Sequence, residues 1–137
     1  MTFHDLAREY FKKARIRLKA LYVLNEEGGY SDVVRESQEL VELLLKGLLR
    51  VIGIDPPKWH DVGSILFQNK TKLGPDVQAD LQRIMDLSSY LRKEREMAFY
   101  GDEDFLPSDH YNKEDADYCI SEVEWLLQLL TKYFEPL

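Results

Sequence analysis

A chain of 137 residues with 45% apolar side chains is long enough for one real core, and it is expected to fold as a single domain over 1–137. Its 18 Lys plus Arg against 25 Asp plus Glu leave a formal net charge of -7, which argues against non-specific nucleic-acid binding but not against a local basic cleft. One cysteine, Cys119, excludes a disulfide framework within the chain, and MTFHDLAREY has no apolar signal-peptide segment, so a reducing cytoplasmic setting is expected.

The first helix is predicted from about Thr2 to Leu24. Phe3, Ala7, Tyr10, Phe11, Ala14, Leu18 and Leu21 recur on one face, and Gly28-Gly29 ends the run. Arg8, Lys12, Arg15 and Lys19 follow 4-3-4 spacing and line another face of it. Ser31 is the expected N-cap of the second helix, whose face is Val34, Ser37, Val41, Leu44, Leu45, Leu48 and Ile52. Gly53 should end it in a left-handed conformation. Although Leu40 to Ile54 is apolar-rich, Glu42, Lys46 and Arg50 interrupt it, so it is not expected to span a bilayer.

Pro56 and Pro57 force a stiff loop. His60 or Asp61 should open a short third helix reaching about Phe67. Pro75 suits the first turn of a fourth, which is expected to run unbroken to about Phe99 and to stop at Gly101. Residues 101–112 read as an acidic loop; residues 101–118 hold seven carboxylates and one lysine. Asn112 should cap the fifth helix, with Ala116, Ile120, Val123, Leu127 and Leu130 facing inward. Five helices, short connections and no strand predict an all-α, up-and-down helical bundle.

Arg95 carries the functional reading. It falls among Leu81, Ile84, Leu91 and Ala98 at helical spacing, where burial is expected, and a buried guanidinium requires a facing anion. Gln38 or Glu42, one turn apart on the second helix, is the expected counterpart; a phosphate is the other. A solvated end of the fourth helix, with only the arginine stem covered, is the plainer alternative.

Other chemistry is sparse. His4, His60 and His110 are far apart, form no metal-ligand spacing, and leave no metal or cofactor to expect. His60-Asp61 reads as a loop-to-helix junction that covers free N–H groups. Cys119 lies on or beside an apolar stripe and reads as core. There is neither a GxSxG serine nor a GxxxxGK phosphate loop. The basic helix-one face and the acidic segment read as solvated surfaces, or as complementary docking surfaces.

Three segments in order then carry a resemblance: SQELVELLLKGLLRVIG, PPKWHDVGSIL and REMAFYGDE. Together they resemble the HEPN domain, a five-helix family. Gln38, Glu42, Lys46, Leu48 and Leu49 match its Gln-x-x-x-Glu-x-x-x-Lys-x-Leu-Leu pattern. Gly53, His60 and Asp61 match the loop that follows, and Arg95, Ala98 and Tyr100 match Arg-x-x-Ala-x-Tyr. The likeness runs from about Ala7 to Leu130.

The resemblance implies a homodimer that works beside a small nucleotidyltransferase, often as a toxin–antitoxin pair. Many relatives are metal-independent ribonucleases whose arginine is followed after about four to six residues by histidine. Here those positions hold Tyr100, Gly101 or Asp102, and a phenol with pKa about 10 shuttles protons poorly near neutrality. The reading is therefore a non-catalytic module in which Arg95 and Tyr100 bind nucleotide, RNA or partner, with Gln38 and Glu42 forming the second-helix wall. The alternative is a ribonuclease using Arg95 and Tyr100, or His110 folded back from its loop.

Overall fold

The computed structural model describes residues 3–58 and 61–135. The junction residue His60 therefore lies outside the described residues. Helix α1 (Phe3–Glu26) ends where Gly28 takes φ +79°. Gly29 N–H then donates back to Leu24 O at 2.8 Å and Gly28 N–H to Asn25 O at 3.1 Å, pairing carbonyls that a helix end leaves open.

The chain re-enters helix at once. Helix α2 (Tyr30–Val51) has Gly29 as its N-cap, so the expectation that Ser31 caps it is wrong. The two-glycine turn completes the reversal before Ser31, which is already inside the first turn. At the other end the sequence reading holds: Gly53 has φ +84°, and Ile54 N–H reaches Leu49 O at 2.9 Å.

Helix α2 packs against α1, α5 and α7, which explains its wide apolar face. Leu40, Leu44, Leu45, Leu48 and Leu49 are fully buried. Each contributes about 1.5–3 kcal/mol of burial. Gly47 lets Phe134 approach closely, and Phe134 stacks on Phe11 at 4.8 Å, so α1, α2 and α7 meet there.

Helix α3 (Val62–Gln68) starts at Asp61, whose carboxylate accepts from Gly63 N–H at 2.9 Å and from the Ser64 hydroxyl at 3.2 Å. A 3-10 turn (Lys70–Lys72) follows. The expected single helix from Pro75 to Phe99 is in fact two, α4 (Pro75–Ala79) and α5 (Leu81–Phe99), separated at Asp80. Asp76 is tied to Lys132 at 2.8 Å and hydrogen-bonded by the Tyr133 hydroxyl. That anchors α4 to the last helix, while α5 follows α2.

The acidic segment has more structure than a loop. Gly101, at φ +65°, turns the chain; Asp102 and Phe105 pair through their backbones, and α6 (Pro107–His110) follows. Asn112 and Asp115 form a reciprocal capping box at the start of α7 (Lys113–Phe134), as Asn112 predicted. Leu127, expected inside, is only partly buried because it borders an open groove against α1. The described residues contain no named strand, and the all-α bundle expected from the sequence is what forms.

Candidate functional site

Helices α2 and α5 run antiparallel, and three side-chain pairs give the register. Arg35 covers the Phe99 ring at 4.2 Å, Glu39 meets Arg95, and Gln38 and Glu42 face Arg92 across the seam. Between the helices lies an open groove of about 570 Å³. Gln38 and Glu42 form one wall; Ser89, Arg92, Lys93 and Arg95 form the other; Lys58 closes one end.

Arg95 is not buried as expected. Its side chain is 47% exposed, and Nη2 lies 2.7 Å from Glu39 Oε1. The facing carboxylate is thus Glu39, not Gln38 or Glu42. Position 95 sits on the α2-facing edge of the α5 stripe, one turn after buried Leu91. A long side chain at such an edge lays its stem on apolar surface and sends its charge outward.

Gln38 is the buried member, only 5% exposed. Its Nε2 donates to Glu42 Oε2 at 3.4 Å, and among the described residues its Oε1 has no hydrogen-bond partner. An amide oxygen withdrawn from water without a partner costs about 1–3 kcal/mol. Glu42 is also held by Lys46 at 3.4 Å, the expected i,i+4 pair.

Four cations and one carboxylate line this groove in a chain of net charge -7. Arg92 reaches Asp61 at 3.6 Å, so the cap of α3 also steadies a groove arginine. Lys58 and Lys93 have no ion-pair partner among the described residues. An anion entering here meets charges that are already assembled.

Tyr100 stands apart. It is 75% exposed beyond the end of α5, its ring edge-on to Phe99 at 4.6 Å, and it does not line the groove. His4 is exposed on α1. His110 packs its ring against Phe105 and Tyr111 at 4.6 and 4.7 Å, and no described contact links it to Arg95. Tyr111 in turn donates to Glu94 Oε2 at 2.6 Å; burial, then that carboxylate, push its phenol above the usual range. Burial raises the Cys119 thiol to about 12, so it is a core side chain and a poor nucleophile. Among the described residues no three His, Cys, Asp or Glu side chains are grouped to hold a metal ion.

Sequence reasoning gave no role to Glu39, Lys58, Ser89, Arg92 or Lys93. The signal was present in principle: antiparallel pairing of 35 with 99 places 39 opposite 95.

A family model described as HEPN domain matches residues 7–133. The chain belongs to the HEPN-domain family. No curated protein and no solved structure matches it. Within this HEPN chain, the family-like residues Gln38, Glu42 and Arg95 all border the α2–α5 groove, whereas Tyr100 does not. Membership supports a nucleotide- or RNA-related module. Among the described residues no helix is long and apolar enough to cross a membrane.

Proposed function

We propose that this HEPN chain is a non-catalytic nucleotide- or partner-binding module. It acts as a homodimer with a small nucleotidyltransferase, in the manner of a toxin–antitoxin pair. The observation that carries the reading is the α2–α5 groove: Lys58, Arg92, Lys93 and Arg95 converge beside a buried amide whose oxygen lacks a partner. Phosphate fits the cations, because guanidinium and ammonium groups bind it directly. An N–H donor of a base or of a partner side chain fits Gln38 Oε1.

Arg95 would exchange Glu39 for the incoming anion. Tyr100, away from the groove, suits stacking or partner contact more than proton transfer. Tyr100, Gly101 and Asp102 stand where the ribonuclease pattern carries histidine, and none of them shuttles protons as an imidazole does near neutrality; this favours binding over metal-independent RNA cleavage.

The test is direct titration of purified protein with ATP and with a short RNA, beside capture of a co-expressed nucleotidyltransferase. Arg92→Glu with Lys93→Glu should weaken anion binding about tenfold or more and flatten its salt dependence. RNA cleavage that vanishes in Arg95→Ala would establish the ribonuclease reading instead. Absence of both ligand binding and partner capture would end the proposal.

A further inference from the structure

A second groove lies between α1 and α7. Phe11, Leu18 and Leu127 form its floor, with Ile16 and Tyr22 at its edges, and it encloses about 450 Å³. Lys12, Arg15 and Lys19 rim it. Among the described residues none of these three cations has an ion-pair partner. An apolar floor with a basic rim that carries no ion pair among the described residues, Arg15 lying over the Phe11 ring at 5.9 Å, suits an acidic segment that carries an apolar side chain.

The chain displays such a segment. After Gly101 the backbone folds into a tight hook: Asp102 N–H donates to Phe105 O at 3.0 Å, Phe105 N–H to Asp102 O at 3.2 Å, and Asp104 N–H to Asp102 Oδ1 at 2.9 Å. Phe105 roots the hook in the core cluster. Outward from it project Glu103, Asp104 and Asp109, which have no ion-pair partner among the described residues, and Leu106, 61% exposed. Its shape is fixed before any encounter, so little ordering entropy opposes docking.

We infer that the 102–109 hook of one copy docks into the α1–α7 groove of a second copy, Leu106 on the apolar floor and the carboxylates against Lys12, Arg15 and Lys19. Within one chain the two surfaces are held apart. Tyr22 bonds Glu124 at 2.6 Å and Asn25 bonds Asp117 at 3.0 Å, so α1 and α7 are antiparallel. The hook precedes the first residue of α7, while Leu127 of the groove lies four turns further along. Reciprocal docking about a twofold axis uses both surfaces of both copies and closes a dimer. The inference takes from the proposed function only the pairing of two copies; the α2–α5 groove plays no part in it.

Sedimentation velocity of the full chain tests it by charge exchange. Lys12→Glu with Lys19→Glu gives a chain whose groove and hook are both acidic. Glu103→Lys with Asp104→Lys and Asp109→Lys gives one whose groove and hook are both basic. Each variant alone should dimerise at least about tenfold more weakly than the parent chain, and an equimolar mixture should restore a dimer of one copy of each. Raising salt should weaken the parent dimer, since the rim charges are screened. Leu106→Asp, a position outside the core, should also give monomer with an unchanged far-ultraviolet circular dichroism spectrum. A parent chain that stays monomeric at low salt overturns the inference, and so does a mixture that stays monomeric. A dimer unaffected by either charge set would keep the homodimer of the proposed function but place its interface elsewhere, and would also overturn this inference.

Discussion

Arg95 and Glu39, 56 positions apart in sequence, form an ion pair with Nη2 and Oε1 2.7 Å apart at the mouth of the α2–α5 groove. Both side chains are in reach of water, 47% and 28% exposed, so screening and side-chain entropy limit the pair to about 0.5 kcal/mol. A double-mutant cycle on stability, Arg95→Ala against Glu39→Ala, should therefore give a coupling below about 1 kcal/mol. The pair is weak enough for phosphate to displace the carboxylate. Glu39→Gln should tighten anion binding about twofold to fivefold. Isothermal titration with ATP checks it; weaker binding in Glu39→Gln would show that the carboxylate supports the ligand rather than competing with it.

Gln38 separates stability from binding. Its Oε1 is buried without a partner among the described residues, so the amide is a poor choice for packing alone. Gln38→Leu should leave the urea midpoint unchanged or raise stability by up to about 1 kcal/mol. Ligand affinity of the groove should fall in the same variant. Loss of stability with no change in affinity would assign Gln38 to the scaffold.

Glycine 101 is required twice over. Its φ is +65°, and a Cβ there would lie 2.3 Å from Phe105 O. Gly101→Ala should cost more than the roughly 1–2 kcal/mol of a left-handed alanine, because the backbone of the hook must also move. At Gly28, φ is +79° with nothing within 4 Å of an added Cβ, so Gly28→Ala should cost only the conformational part. Urea unfolding of the two variants tests the ranking.

Asp76 gives a pH dependence with a definite sign. The Lys132 ammonium first, and then the Tyr133 hydroxyl, hold its carboxyl down at about 2, below the ordinary aspartate value of 3.8. In the unfolded chain Asp76 takes up its proton at higher pH than in the folded one. Its contribution is thus present in full above about pH 4 and is lost as pH falls toward about 2. Asp76→Asn should lower stability at pH 7 and make the acid limb between those values shallower. Denaturation midpoints at pH 7 and pH 2.5 measure both effects.

Cys119, fully buried with its thiol raised to about 12, should resist a thiol reagent at pH 8 in the native protein. Its labelling rate should rise with urea in step with unfolding. A fast stoichiometric reaction without denaturant would contradict the packing of α7 against α2.

Most of the secondary structure was legible because each signal is local. Gly53 ends α2 because a residue without Cβ accepts a positive φ, and Asn112 caps α7 because its side chain reaches the N–H three residues on. The failures involve tertiary anchors. Nothing near Asp80 announces the break between α4 and α5; it arises where α4 is tied to α7 through Asp76, Lys132 and Tyr133 while α5 tracks α2. Ser31 has the chemistry of a cap, but the Gly28-Gly29 turn starts the helix ahead of it.

Arg95 shows the same division at the site. Its spacing from Leu91 and Ala98 marked it as unusual, but the burial from which a facing anion was inferred does not occur: the side chain is 47% exposed and pairs with Glu39 at the surface. Which anion faces it was not readable, since that depends on how far α5 slides along α2. The same slide decided that Lys58, Ser89 and Arg92 share the groove and that Tyr100 does not.

By itself, then, the amino-acid order determined an all-α bundle, those helix ends that local caps and glycines set, and the short list of polar residues that the apolar faces cannot explain. Those follow from periodicity and capping, which act over a few residues. Packing of α2 against α5 and of α1 against α7 decided which charges meet and which lie uncommitted. Such pairings join residues far apart in the chain and depend on helix register, to which no local propensity is sensitive.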